Sequence, residues 1–186
     1  MLFWHLGITC AVVFFALGAR RIDYRVVLLG AILPDLIDKP IGRIFFQEQF
    51  QTSRLFAHTL LFVTVLLLSI QILLRGKTAR RWFVLPIAAL IHLVLDGMWN
   101  DPISLFWPLF STTFPPDPVG NYWLEVLLRP LDHPLELLKE LVGLGVLAYL
   151  YRAFGLQDRS RLREFFREGR LYAGPERSQQ DEGAQP

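Results

Sequence analysis

The chain has 186 residues, of which 53% are hydrophobic and 13% are aromatic, more than a soluble domain of this size normally carries. Its 19 basic and 17 acidic residues leave a net charge of +2, which is too balanced for a nucleic-acid-binding protein. The single cysteine, Cys10, excludes an intrachain disulfide and a cysteine-built zinc site. We therefore expect a membrane-embedded domain over residues 1–155, in which any metal is held by nitrogen and oxygen atoms.

Apolar segments predict an all-α bundle of about four to five membrane helices. Three segments reach spanning length at 1.5 Å per residue, namely residues 57–74, 82–99 and 135–154. Two shorter apolar runs, 6–19 and 26–33, are expected to be tilted, extended or partly re-entrant, and Pro34 is expected to end the second. The first run lacks a basic start, which favours a retained helix over a secretory signal.

The remaining segments are not apolar helices. Residues 99–134 are rich in proline, tryptophan and tyrosine, which predicts an irregular loop at the membrane interface. Residues 156–172 alternate arginine with leucine and phenylalanine, a pattern typical of an amphipathic basic helix on the anionic inner leaflet. Residues 173–186 are polar, and we expect them to be disordered.

The distribution of basic residues predicts the topology of an inner-membrane protein. Arginine and lysine follow the first apolar run, separate the next two long segments and recur in the C-terminal tail. The positive-inside rule makes these ends and the C-terminus cytoplasmic. The opposite helix ends, and the loop over residues 99–134, are then extracytoplasmic.

The strongest chemical signal is a histidine and an aspartate four residues apart. His92 and Asp96 project from one face of a helix, one turn apart, so a single metal ion can contact both. The structural alternative is a pair that is hydrogen-bonded to each other or to a neighbouring helix. Ionisable residues inside a membrane are costly and are commonly functional, which favours the ligand interpretation.

Two further aspartates follow Pro34. Asp35 and Asp38 lie three residues apart at the end of an apolar run, and either can serve as a metal ligand or as a catalytic base. A proline suits the first turn of a new helix, so capping by Asp35 is the competing explanation. Capping accounts for Asp38 less easily.

Two histidines open apolar segments at the same predicted face. His5 begins the first run and His58 the longest one, and each by itself is typical of an interface residue. The charge pattern nevertheless places six such side chains from four segments near one face. These candidate ligands are His5, Asp35, Asp38, His58, His92 and Asp96. Three imidazoles and three carboxylates suit one or two divalent ions, zinc first and manganese or iron otherwise, and they predict hydrolysis by metal-activated water.

Weaker candidates lie nearby. Asp101 follows the helix of His92 and can support a ligand. His133 and Glu136, with Asp132, precede the last apolar segment and serve either as ligands or a proton shuttle, or as a helix cap. Arg54 and Arg43 flank the expected site and can hold an anionic group, although solvation is the more frequent role of an arginine.

Four short motifs in order resemble a known family. They are His-x-Gly-x-Thr at 5–9, Leu-Pro-Asp-Leu-Ile-Asp at 33–38, Arg54 with Ala-His-Thr at 57–59, and His92-x-x-x-Asp96. Over residues 1–110 the chain resembles the inner-membrane-associated metal-dependent hydrolases named for a LexA-binding member. In its use of histidines and aspartates, including a His-x-x-x-Asp pair, that family is similar to zinc-dependent phospholipases C and single-strand-specific zinc nucleases. The resemblance implies a phosphoester substrate, such as a phospholipid headgroup.

Two other function classes stay open from the sequence. Membrane histidines and aspartates also relay protons or bind a transported cation, as in an ion-coupled transporter component. A metal can alternatively be structural in a membrane scaffold. Membrane lipids are the expected partners under every interpretation, and nucleic acid is not expected.

Overall fold

The computed structural model describes residues 1–17, 22–116 and 133–171, and this part of the chain is helical, without β-strands. The helices are α1 (Leu2–Leu17), α2 (Tyr24–Pro40), α3 (Gln47–Phe50), α4 (Leu60–Leu73), α5 (Gly76–Trp82), α6 (Val84–Leu95), α7 (Pro102–Leu105), α8 (Pro134–Ala153) and α9 (Arg159–Glu168). A π-helical turn, Ile41–Phe45, extends α2, and 3₁₀ turns occupy Phe56–His58 and Met98–Asn100. The predicted all-α class is confirmed for these residues.

Side chains cap several helix starts. Asp23 accepts a hydrogen bond from the amide of Arg25 at the start of α2, and Thr59 accepts one from Phe62 at the start of α4. Glu140 caps α1 from a distant part of the chain, because its Oε2 accepts the amides of Phe3 and Trp4 at 2.7 and 3.1 Å. A carboxylate there also complements the positive end of the helix dipole.

The bundle is built from two closely packed helix pairs, α1 with α8 and α2 with α6. Gly7 and Gly143 face the backbone of the opposite helix where α1 crosses α8, and a Cβ on either residue would overlap that backbone. Gly30 plays the same part in α2, against Leu85 and Ala88 of α6. Small residues allow such close approach in membrane helices, where dispersion contacts drive association.

The helix α2 continues through Pro34 to Pro40, so the expected helix end at Pro34 is wrong. Proline removes one amide donor, yet membrane helices tolerate it where neighbouring groups satisfy the freed carbonyls. Here His92 of α6 donates to the carbonyl oxygen of Ala31, three residues before Pro34, and α2 packs closely on α6 at Gly30. Asp35 therefore lies inside a helix, and the alternative that it caps a new one is also wrong.

One helical stretch among the described residues, Gly76–Leu95 across α5 and α6, is long and apolar enough to cross a membrane. The apolar helices Leu2–Leu17 and Leu60–Leu73 are shorter. The predicted helix over 135–154 is present as α8, but it does not meet the same criterion. The bundle is thus confirmed as helical, while the predicted number of four to five membrane crossings stays a prediction.

The predicted loop is described in part. Residues 99–116 contain the end of the 3₁₀ turn Met98–Asn100, the short helix α7 and irregular backbone, and 117–132 lie outside the described residues. The amphipathic helix is present as α9, with Phe165 buried and Phe166 exposed. The disorder predicted for 173–186 falls outside the described residues.

The two ends of the bundle differ in charge. At what we call the basic end, Asp23 binds Arg25 and Arg81, and Arg25 donates to the backbone of α9. Burial opposes ionisation of Asp23, but its hydrogen bonds from Arg25 and the two positive charges lower its pKa below the ordinary value. The opposite end, which we call the His/Asp end, holds His5, His58 and Asp96.

Candidate metal centre

Three elements bring four of the predicted ligands together at the His/Asp end. One ligand atom each from Asp35, His58, His92 and Asp96 lies within 4.8 Å of the other three. Asp35 comes from α2, His58 from the 3₁₀ turn before α4, and the other two from the end of α6. The three elements are far apart in sequence, and a group of this kind can hold a metal ion.

Asp38 lies behind His58 and does not belong to this group. Its carboxylate is fully buried and accepts the amides of Leu55, Ala57 and His58 at 2.8 to 3.1 Å. It also accepts Nδ1–H of His58 at 2.7 Å. Because both of its oxygens accept hydrogen bonds, Asp38 is placed to orient His58. This geometry favours that role over the predicted roles of metal ligand and catalytic base.

The other two histidines are oriented by backbone carbonyls. His92, fully buried, donates from Nδ1 to the carbonyl oxygen of Ala31 at 2.7 Å. His5 donates from Nδ1 to the carbonyl oxygen of Met1. A carbonyl can only accept, so each ring carries its proton on Nδ1 in the neutral state. In each of the three rings, Nε2 is then left with a lone pair.

The Nε2 atoms of His58 and His92 point toward one another, and the Nε2 atoms of all three rings lie near oxygens of Asp96. Nε2 of His58 is 3.4 Å from Nε2 of His92, 3.5 Å from Oδ2 of Asp96 and 3.6 Å from Oδ1 of Asp35. The rings of His5 and His92 stack with centroids 4.2 Å apart. Lone pairs and negative oxygens repel at such distances unless a cation, either a proton or a metal ion, lies among them.

His5 reaches the group from its edge. Its Nε2 is 2.9 Å from Oδ1 of Asp96, yet this buried nitrogen has no partner in hydrogen-bonding geometry among the described residues. The two oxygens of Asp96 therefore face different partners, Oδ1 toward His5 and Oδ2 toward His58 and His92. Such a carboxylate can serve one ion or stand between two.

The residues fit a divalent metal ion. A histidine that ligates a metal commonly donates its other N–H to a carboxylate or a carbonyl, which fixes the tautomer. All three histidines here have that arrangement, with one carboxylate and two carbonyl acceptors. Of the structural alternative, a hydrogen bond between His92 and Asp96 is absent, since Nε2 of His92 lies 3.9 Å from Oδ2 of Asp96. A hydrogen bond to a neighbouring helix is present, from Nδ1 of His92 to Ala31 of α2, and it leaves Nε2 available to an ion.

Two basic side chains border the group. Lys39 donates to Oδ2 of Asp35 at 2.6 Å, one helical turn away. Arg54 approaches from the segment before His58, with Nη2 at 3.4 Å from the carbonyl oxygen of Asp96. Arg54 was expected near the site, whereas Lys39 was not. The spacing of four between Asp35 and Lys39 is the signal that identifies this ion pair in the sequence.

The weaker candidates lie outside the group. Asp101 caps α7 by accepting the amide of Ser104. His133 occupies the cap position of α8 without a side-chain cap bond, and Glu136 lies in the first turn of that helix. None of these three side chains belongs to the candidate metal group among the described residues, and Asp132 lies outside the described residues. The role of the Ala31 and Met1 carbonyls as acceptors for two histidines was not predicted, because every residue has a backbone carbonyl and the sequence does not distinguish them.

Comparison with known proteins places this site in a family context. The sequence profile of the YdjM inner membrane proteins matches residues 1–161. The chain belongs to the YdjM inner membrane protein family. The expected inner-membrane association is thereby confirmed, and the match extends beyond the residues that carried the motif resemblance. The YdjM description names no activity and no metal. No curated protein and no solved structure matches this YdjM-family chain.

Proposed function

We propose that this YdjM-family chain is a membrane-bound hydrolase that depends on a divalent metal ion held by Asp35, His58, His92 and Asp96. The observation that carries the proposal is the shared arrangement of the three histidines, in which each Nδ1 donates to a protein oxygen and each Nε2 faces Asp96. Asp35 also lies near Nε2 of His58 and of His92. Such convergence of buried acceptors costs free energy unless a cation binds there.

Zinc is the ion that this donor set suits best. Two imidazole nitrogens and two carboxylate oxygens provide four donors of the types that zinc accepts, and zinc sites are commonly four-coordinate. Manganese and iron share part of this preference. His5 is an additional nitrogen donor at the edge of the group, so one to two ions are compatible with the ligand set.

The ion would supply activation of water and polarisation of a substrate oxygen. Oδ2 of Asp35 binds Lys39, so Oδ1 is the atom that would bind the ion or, in the alternative role, accept a proton from the attacking water. The carboxylate of Asp38 is fully buried and both of its oxygens are occupied. Asp38 is assigned the role of orienting His58. Lys39 and Arg54 add positive charge at the border of the group and suit a negatively charged substrate.

A phosphoester in a lipid headgroup is the substrate class we propose. The positive border supports an anionic group, and exposed aromatic side chains surround the same end of the bundle. Phe45, Phe56 and Trp99 remain at least one-third exposed there. Tryptophan is enriched at the membrane interface, the depth at which lipid headgroups lie, and the two phenylalanines add apolar surface beside it. This arrangement favours a lipid over a soluble metabolite.

Turnover can be measured on the purified full-length protein in mixed micelles of detergent and phospholipid, reloaded with zinc or manganese. We expect release of phosphate or of the phosphorylated headgroup, abolished by Asp35→Asn and retained by Asp101→Asn, which changes a carboxylate outside the group. Bound metal without turnover on phosphatidylglycerol, phosphatidic acid or a phosphomonoester would contradict the hydrolase. Metal-dependent ion flux in proteoliposomes would instead support the transporter interpretation.

We further propose that the His/Asp end faces the extracytoplasmic side and that α9 and the C-terminus are cytoplasmic. The support is the segregation of Arg25, Arg81 and the arginines of α9 at the opposite end of the bundle. A reporter inserted after Lys39 should be active only in its extracytoplasmic form. A cytoplasmic signal from that fusion would reverse the orientation.

A further inference from the structure

An apolar cavity of about 390 Å³ lies toward the basic end, away from the candidate metal group. Cys10 of α1, Leu28 of α2, Leu147 of α8 and Phe165 of α9 contribute to its walls. This volume falls in the range of about 300–1,000 Å³ that is typical of small-molecule sites. Because the walls are almost entirely carbon, the matching ligand is a hydrocarbon.

The cavity is open to the outside of the bundle along α8. Leu144, Ala148 and Tyr151 line it and are exposed on that helix. From Leu144 to Tyr151 the helix rises by roughly 10 Å at 1.5 Å per residue. An apolar space that is open along about two turns of an apolar helix suits a lipid acyl chain.

Tyr24 places a buried hydroxyl beside the cavity. Tyr24 lines the cavity and is 1% exposed, and its hydroxyl has no hydrogen-bond partner among the described residues. A buried hydroxyl without a partner costs free energy. Tyr24 begins α2 at the basic end, the level at which the ester groups of a lipid would lie. An ester carbonyl would accept the hydrogen of this hydroxyl.

Positive charge borders the cavity at the same level. Helix α9, which contributes Leu162 and Phe165 to the wall, carries four arginines against two glutamates. Arg161 is one turn from Phe165 on this helix and donates from Nη1 to the carbonyl oxygen of Phe154 at 3.5 Å, close in sequence to the wall residue Leu156. Basic pockets between membrane helices bind the headgroups of anionic lipids.

We propose that this cavity is a binding site for one acyl chain of an anionic phospholipid. In this site Tyr24 donates to the ester carbonyl and Arg161 pairs with the headgroup phosphate. The site is separate from the candidate metal group and does not depend on the proposed hydrolysis. A lipid bound here joins α1, α2, α8 and α9 and is a structural ligand, not a substrate.

Native mass spectrometry of the full-length protein in detergent, titrated with dioleoyl phosphatidylglycerol, tests the proposal. Wild type should bind one lipid in a saturable manner, more tightly than dioleoyl phosphatidylcholine. Ala148→Phe should weaken binding about tenfold or more, since excluding two methylenes of a chain is sufficient for that loss. Ala153→Phe makes the same change outside the cavity on the same helix and should bind as wild type does.

Two further variants separate the polar contacts. Tyr24→Phe should weaken binding about twofold to tenfold, the range expected for one hydrogen bond, without lowering the unfolding temperature of lipid-free protein. Arg161→Gln should remove most of the preference for phosphatidylglycerol over phosphatidylcholine. Equal binding by Ala148→Phe and Ala153→Phe, or no saturable lipid on folded wild type, would overturn the proposal, the latter indicating that the chain itself fills the space.

Discussion

Replacing Asp38 by asparagine tests the division between residues that would hold the metal and residues that orient them. The carboxylate of Asp38 is fully buried and accepts four N–H donors. Asparagine keeps one oxygen, which can face the three donors at Oδ2. Its amide nitrogen then meets the amide of Ala57, donor against donor.

The number of donors left without an acceptor sets the expected loss of stability. One unsatisfied buried donor pair costs about 1–3 kcal/mol of unfolding free energy. Loosening the partner of a metal-bound histidine lowers metal affinity about 10–100-fold. We therefore expect Asp38→Asn to bind as much zinc as wild type at saturation, but with a dissociation constant raised within that range.

The assay is competition of the purified protein with a zinc chelator of known affinity, together with thermal unfolding with and without zinc. Asp101→Asn is the matched control, since Asp101 also accepts a backbone amide but lies outside the group. The reasoning is refuted if Asp38→Asn binds zinc with unchanged affinity. It is equally refuted if that variant loses zinc stoichiometry as completely as Asp35→Asn, because Asp38 would then act as a ligand.

Three other predictions concern the bundle. Gly143→Ala should lower the unfolding free energy by about 1–3 kcal/mol, measured by denaturant titration, because its Cβ would overlap α1. The control Gly145→Ala, whose Cβ would meet no neighbour, should be neutral or stabilising in that titration. Glu140→Ala removes the cap of α1 and should cost about 0.5–2 kcal/mol by denaturant titration; an unchanged midpoint would exclude the capping role. Because the pKa of Asp23 is lowered, its ionised carboxylate stabilises the folded protein above about pH 4, and this stabilisation is lost as the pH falls further. The difference in unfolding temperature between wild type and Asp23→Asn should therefore shrink only in that acidic range.

The candidate ligands illustrate what a sequence can and cannot specify. The spacing of His92 and Asp96 is enough to place both on one face of a helix, and the charge pattern was enough to collect His58 and Asp35 at the same end. Asp35 and Asp38 look equivalent in the sequence. Their difference arises only when the segment before α4 folds around Asp38 and directs three amides at it.

Other features that the sequence did not predict have the same origin in tertiary packing. Pro34 is a local signal for a helix end, and it is overridden because α2 packs closely on α6 through Gly30. The carbonyls of Ala31 and Met1 that orient two histidines are backbone atoms, so the residue types do not predict these contacts. The apolar cavity near Tyr24 is likewise a product of how four helices meet.

The most direct test of the account is the metal content of the purified protein after removal of adventitious ions, measured by elemental analysis. Wild type should retain stoichiometric zinc, the double variant His92→Ala/Asp96→Ala should retain none while remaining folded, and the control His133→Ala/Asp101→Asn should match wild type. Folded wild type that binds no divalent metal when zinc, manganese or iron is supplied would contradict the metal centre and the hydrolase built on it.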